Sequence, residues 1–107
     1  MILSVVIPCY NVSKHIEDVI RNLPASITYI ITVNDCSTDE TEYKLTNLQK
    51  DNKKIIYIKH DTNQGVGGAV LTGFRKSMDL NSDVTIKMDG DDQMDPVYIP
   101  MLIKPLV

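Results

Sequence analysis

The chain has 107 residues, 43% of them hydrophobic, and a net charge of −3. That length fits one small domain or part of one, and an acidic balance with scattered basic residues argues against a nucleic-acid or anionic-membrane surface. No apolar run approaches the ~20 residues of a membrane span. The amino terminus lacks the basic leader of a signal peptide. Two cysteines, Cys9 and Cys36, have neither metal-ligand nor C-x-x-C spacing. They read as ordinary small residues at strand ends in a reduced, cytoplasmic protein.

Residues 2–7 are mostly β-branched and apolar and predict a buried strand. Ser13 is placed to cap a helix over 14–22, with Ile16, Val19, Ile20 and Leu23 on one face and Pro24 as its stop. Residues 28–33 predict a second buried strand. Ser37-Thr38-Asp39-Glu40 reads as a capping box for a helix to about Gln49 that buries Leu45 and Leu48. Residues 55–58 predict a third strand. Gly67 or Gly68 opens a third helix to about Met78, with Val70, Leu71 and Phe74 inward. Residues 83–88 predict a fourth strand, and a short helical tail broken by Pro100 and Pro105 follows.

Apolar strands alternating with helices imply an α/β fold, a parallel sheet covered by helices on both faces. Right-handed crossovers restrict the topology, and the expected order is 3-2-1-4. Ligands of such sheets bind at the carboxyl ends of the strands, beside the switch point between strands 1 and 4. The polar segments of the chain fall there: Pro8-Cys9-Tyr10-Asn11, Asn34-Asp35-Cys36-Ser37, Asp61-Thr62-Asn63-Gln64-Gly65, and an acidic cluster after the fourth strand.

That cluster, Asp89-Gly90-Asp91-Asp92-Gln93-Met94-Asp95-Pro96, carries three carboxylates within its first four residues. Charges so close repel, and a divalent cation with oxygen ligands, magnesium or manganese, would neutralise them. A metal held by few side chains keeps positions open for a diphosphate. An EF-hand loop is excluded, because its sixth position would be Met94 and its twelfth Pro100. A solvated acidic turn is the plainer alternative, and Asp95 with Pro96 reads as a helix start in either case. No G-x-x-x-x-G-K-[ST] is present, and Gly65-Val66-Gly67 follows the third strand, where a dinucleotide fingerprint would follow the first. His15, on a predicted helix surface, and His60, at a strand end, have no evident partner and are assigned no chemistry.

Four segments in order carry a specific resemblance: Val5-Val6-Ile7-Pro8-Cys9-Tyr10-Asn11, Val33-Asn34-Asp35-Cys36-Ser37-Thr38-Asp39, Asn63-Gln64-Gly65-x-Gly67-x-Ala69, and Asp89-Gly90-Asp91. Together they resemble the nucleotide-binding half of a family 2 glycosyltransferase of the GT-A, Rossmann-like fold. They are similar in particular to the dolichol- and polyprenyl-phosphate sugar transferases. The resemblance implies that Pro8, Tyr10 and Asn11 shape the wall beside the nucleotide. It implies that Asp35 accepts a hydrogen bond from a base N–H, and that Asp89, Gly90 and Asp91 form the D-x-D element. Asp89 and Asp91 would hold the metal, with Gln93 as a further ligand, and the donor would be a nucleotide-diphosphate sugar.

For Asp35 a structural role at the following helix N-terminus stands beside the ligand role. For Asn63 and the glycines, turn and helix-entry chemistry is the preferred reading. Three positions depart from the family pattern: Val12 stands where Glu is frequent, Asn34 where a first Asp is frequent, and the 61–64 loop lacks basic residues. Members of the family continue well past the D-x-D into an acceptor half that supplies the general base, so residues 1–107 read as the donor-binding half of a truncated domain. No catalytic base is assigned, and the fragment is expected to be inactive alone and to self-associate through its apolar tail or an open edge of strand 4. The parent protein would act at the cytoplasmic face of a membrane. A non-catalytic nucleotide-binding module is the alternative. A sugar nucleotidyltransferase is disfavoured, because Pro8-Cys9-Tyr10-Asn11 is not the Gly-rich basic loop such an enzyme carries after strand 1.

Overall fold

Successive side chains of a strand face opposite sides of its sheet, so a strand apolar at most positions needs cover on both. The central strand β1 (Leu3–Cys9) is of this kind, and all of it but Leu3 is buried. The structure, a computed structural model, describes residues 1–90 and 99–102. After β1 come α1 (Ile16–Arg21), β2 (Tyr29–Asn34), α2 (Thr41–Asp51), β3 (Ile55–Lys59), α3 (Gly65–Asp79), β4 (Val84–Lys87) and β5 (Ile99–Leu102).

The strands form one sheet in the order β3-β2-β1-β4-β5. The first four are parallel in the expected 3-2-1-4 order. On one face Val5, Ile7 and Cys9 pack with Ile16, Val19 and Ile20 of α1 and Leu45 of α2. On the other, Val6, Ile31 and Val33 pack against Ala69 of α3, with Phe74 at the margin. Ile7, Ile16, Ile31 and Leu45 are fully buried. Each such burial is worth roughly 1.5–3 kcal/mol relative to exposure.

The buried stripe of α3 is Ala69, Gly73 and Ser77. A Cβ on Gly73 would overlap the Val6 side chain, so the glycine lets α3 lie close on β1. Leu71, expected inward, is 50% exposed, because the close approach admits small residues on the contact line. Val70 and Phe74 flank that line and are half-buried.

Helix starts differ from expectation where tertiary partners claim the capping groups. Ser13 does not cap α1, which begins at Ile16 after a turn closed by the His15 and Ile16 N–H groups on the Val12 carbonyl. The Ser13 N–H instead donates to Asp39 Oδ2 at 3.3 Å. Ser37 does not cap α2: its hydroxyl accepts from the Asn11 N–H at 3.1 Å. Asp39 supplies the start of α2 by accepting from the Thr41 N–H and hydroxyl at 2.9 and 2.6 Å.

The expected helical tail is overturned at residues 99–102, which pair antiparallel with β4 from Lys87↔Ile99 to Val84↔Leu102. The edge of β4 expected to stand open is therefore covered. Pro100 sits in an edge strand, where a missing N–H is tolerated. Asp91, Gln93, Asp95 and Pro96 lie outside the described residues, as does the chain beyond residue 102.

Candidate functional site

The carboxyl ends of β1, β2 and β3 are level, with Cys9 opposite Asn34 and Asn34 opposite Lys59. β4 stops three residues short, at Lys87 opposite Val6, and the Met88 N–H continues the ladder to the Val6 carbonyl. Asp89 and Gly90 are thereby carried alongside Pro8. Gly90 is buried, and a Cβ there would sit 3.3 Å from Ile7 Cγ2, 3.4 Å from the Pro8 carbonyl oxygen and 3.4 Å from Val12 Cγ1. A side chain at this position would press on β1 and on Val12. Val12 is buried at this contact, so the position that often holds Glu in the family here belongs to the core.

Asn11 has φ 52, a left-handed conformation that Asn tolerates. Its Oδ1 accepts from the Thr38 N–H at 2.8 Å, the Thr38 hydroxyl at 3.3 Å and the Asp39 N–H at 3.3 Å. Its side-chain carbonyl therefore fastens the loop after β1 to the loop after β2. Tyr10, next to it, is 48% exposed.

Asp35 is buried at the end of β2. Its Oδ1 accepts from His60 Nδ1 and the Gln64 N–H, and its Oδ2 from the Gly65 N–H, each at 2.8 Å. Burial by itself would raise the carboxyl, but the donors from Gln64, His60 and Gly65 outweigh it and hold the group below the usual carboxylate range. Asp35 therefore serves a helix N-terminus, that of α3 rather than of the α2 that follows it. Gly65, at φ 81, also donates to Asn63 Oδ1 at 3.0 Å. Asn63 and Gly65 thus make the turn into α3.

His60 is the functional-looking residue that sequence reasoning passed over. It is buried, with Nδ1 on Asp35 and Nε2 2.8 Å from the Thr72 hydroxyl. A carboxylate only accepts, so Nδ1 carries a proton. The available signal was its place, a polar residue directly after β3 on the ligand-facing rim.

Asp89 contrasts with Asp35. Its side chain is 74% exposed, and its cation neighbour is Lys87, with Nζ 3.6 Å away. Among the described residues no three His, Cys, Asp or Glu side chains lie close enough together to hold a metal ion.

Among the described residues, two clefts that open on this rim bear on the candidate site. One, of about 200 Å³, is lined by Pro8, Cys9, Tyr10, Asp35, Asn63, Gly65, Val66 and Ala69. The other, of about 660 Å³, is lined by Pro8, Tyr10, Asn11, Val12, Ser13, Lys14, His15, Asp39, Val66, Asp89 and Gly90. They share Pro8, Tyr10 and Val66, so a ligand running from Asp35 to Asp89 would cross that apolar sill. Of the candidate residues, Pro8, Tyr10, Asn11, Asp35, Asp89 and Gly90 gather here. Among the described residues no helix is long and apolar enough to cross a membrane.

Relatives and solved structures agree with this architecture. The chain is 36% identical to the UDP-N-acetylglucosamine–dolichyl-phosphate N-acetylglucosaminyltransferase of Methanococcus voltae, over 99% of this chain and 47% of that protein. It spans about half the length of that relative. In fold it is similar to S. aureus TarS 1-349 in complex with UDP, with a TM-score of 0.71 and 23% identity over 85% of this chain and 28% of that one. It is also similar to the mannosyltransferase PcManGT from Pyrobaculum calidifontis in complex with GDP-Man and Mn2+, with a TM-score of 0.67 and 17% identity over 83% of this chain and 27% of that one. The family model for glycosyl transferase family 2 matches residues 4–107. With a GT-A sheet, a buried and an exposed aspartate on its carboxyl rim and that match along nearly its whole length, the chain belongs to glycosyl transferase family 2.

Proposed function

We propose that residues 1–107 are the donor-binding half of a glycosyltransferase that takes a sugar from a nucleotide-diphosphate sugar to an acceptor outside this stretch. The observation that carries it is the pair of clefts joined at Pro8, Tyr10 and Val66, one ending on the buried Asp35 and the other on the exposed Asp89. The base would lie in the smaller cleft, its N–H donating to Asp35, with Tyr10 beside it. The diphosphate would lie toward Asp89. Asn11 would hold the two loops that frame this path.

The donor set fits a hard divalent cation, magnesium or manganese. Asp89 offers an exposed carboxylate with a loosely placed cation beside it, and Asp91 and Gln93 would add oxygen ligands. Bound there, the cation would screen the diphosphate and stabilise it as a leaving group. An acceptor oxygen then attacks the anomeric carbon, the bond from that carbon to the diphosphate oxygen breaks, and the nucleoside diphosphate leaves with the electron pair. A polyprenyl phosphate acceptor, the class named for the M. voltae relative, is already ionised and needs no general base for that attack. The setting proposed is the cytoplasmic face of a membrane, consistent with the free thiols of Cys9 and Cys36.

Calorimetric titration with UDP, GDP and other nucleoside diphosphates, with manganese and with EDTA, tests this reading. Binding is expected with manganese and is expected to vanish with EDTA or in Asp91→Ala. Equal affinity in both media would overturn the metal-dependent site.

A further inference from the structure

The Asp35 carboxylate is not free to choose its direction. A carboxylate offers about four lone-pair positions, and His60, Gln64 and Gly65 occupy three of them, each at 2.8 Å. One acceptor position remains, and Asp35 lines the smaller cleft. Two of the three donors are backbone groups at the start of α3. The third, His60, is a side chain, 7% exposed, and it lines neither cleft. Its second nitrogen is fixed by Thr72, whose hydroxyl also lies 3.0 Å from the Gly68 carbonyl. A continuous chain of hydrogen bonds thus runs from β2 through the end of β3 to α3, and the imidazole is anchored at both nitrogens.

We infer that His60 is a positioning residue for base selection: held by Thr72, it fixes the Asp35 carboxylate so that a single acceptor position meets the base. This rests on the reading of the smaller cleft as the base site. Without His60, Asp35 keeps its two backbone donors but loses the donor that holds Oδ1 from the β3 side. The carboxylate can then rotate, or turn a second lone pair outward, and its preference for one base edge falls. Diphosphate binding, which the reading assigns to the other cleft, does not pass through His60.

The test uses two variants of the full chain that differ in which ring nitrogen they imitate. In His60→Asn the side-chain amide nitrogen stands near the position of Nδ1 and still reaches Asp35. In His60→Gln it stands near Nε2 and reaches Thr72 instead. Calorimetry with manganese compares UDP, GDP, CDP and ADP with inorganic pyrophosphate for each protein. Wild type is expected to bind at least one nucleoside diphosphate more tightly than pyrophosphate. His60→Gln is expected to shrink that ratio by on the order of tenfold, the loss of one charge-assisted hydrogen bond, with pyrophosphate affinity unchanged. His60→Asn is expected to keep most of the ratio.

A wild type with no preference over pyrophosphate would overturn the base-site reading itself. A wild type that discriminates, with His60→Gln discriminating equally well, would overturn the positioning role alone. Equal loss of nucleotide and pyrophosphate binding in both variants would show that His60 acts only through the fold.

Discussion

Asp35 and Asp89 stand on the same rim and are built in opposite ways. Asp35 is buried, takes three hydrogen bonds at 2.8 Å and supports the start of α3. Asp89 is 74% exposed and faces an ammonium 3.6 Å away. The first is set in place by the fold before any ligand arrives. The second leaves its charge available, which suits a cation that arrives with the ligand. The difference teaches that a carboxylate at a candidate site can be part of the scaffold and still present one acceptor position, whereas an exposed one with a single long ion pair keeps its charge open to a ligand.

The comparison is broken most severely by removing the buried member. Asp35→Ala takes the acceptor from His60 Nδ1 and the Gln64 N–H, while the Gly65 N–H keeps Asn63 Oδ1, and a loss of about 3 kcal/mol in urea unfolding is expected, since each group left unpaired away from water costs about 1–3 kcal/mol. A loss below about 1 kcal/mol would show that water replaces the carboxylate easily. In the same variant nucleotide binding should weaken more than pyrophosphate binding.

Acid sharpens the contrast. The folded-state carboxyl of Asp35 lies below its unfolded value, because the donors around it outweigh burial. Its contribution to stability is therefore fully present above the unfolded value, about pH 3.9, and is lost as pH falls through the lower folded one. Unfolding midpoints measured between about pH 6 and pH 2 should fall less steeply for Asp35→Asn than for wild type. Asp39, exposed but held low by hydrogen bonds from Thr41 and Ser13 that outweigh its partial desolvation, is expected to contribute to the acid sensitivity that survives in Asp35→Asn.

Gly90→Ala probes the support beneath Asp89. The added methyl meets Ile7, the Pro8 carbonyl and Val12 at 3.3–3.4 Å. A destabilisation of about 1 kcal/mol is expected, at the low end of overpacking costs, with weaker manganese-dependent nucleotide binding as Asp89 shifts. Unchanged binding would mean that Asp89 is not held through Gly90. The smallest stability effect belongs to Asp89→Ala, expected within about 0.5 kcal/mol of wild type. Manganese-dependent binding should nonetheless be lost. A large change in thermal midpoint would place Asp89 in the scaffold with Asp35 and erase the distinction.

Much of the rim was legible because strand periodicity marks where each strand ends, and the residues after those ends were Pro8-Cys9-Tyr10-Asn11, Asn34-Asp35, Asp61 to Gly65 and Asp89-Gly90. Their gathering follows from a parallel sheet, which brings all its carboxyl ends to one side. Partner choice was not legible. Ser37 looks like a cap for α2 and receives the Asn11 N–H instead. Asp35 looks like support for α2 and holds α3, 29 and 30 residues along the chain. His60 looks idle and is bonded at both nitrogens. Leu71 fits the apolar side of α3 and lies exposed, because the closest line of approach belongs to Ala69, Gly73 and Ser77.

By itself the sequence determined the alternation of strands and helices, the 3-2-1-4 core of the sheet and the placing of polar residues on one rim. Those features follow from local periodicity and from chain connectivity, which act on neighbouring residues. Tertiary structure alone decided the antiparallel β5 on β4, the fastening of Asn11 to Thr38 and Asp39, and the Asp35–His60–Thr72 chain. The physical reason is that buried polar groups must find partners wherever the fold brings them. Local pattern shows that a donor or acceptor exists, and only packing in three dimensions selects the group it meets.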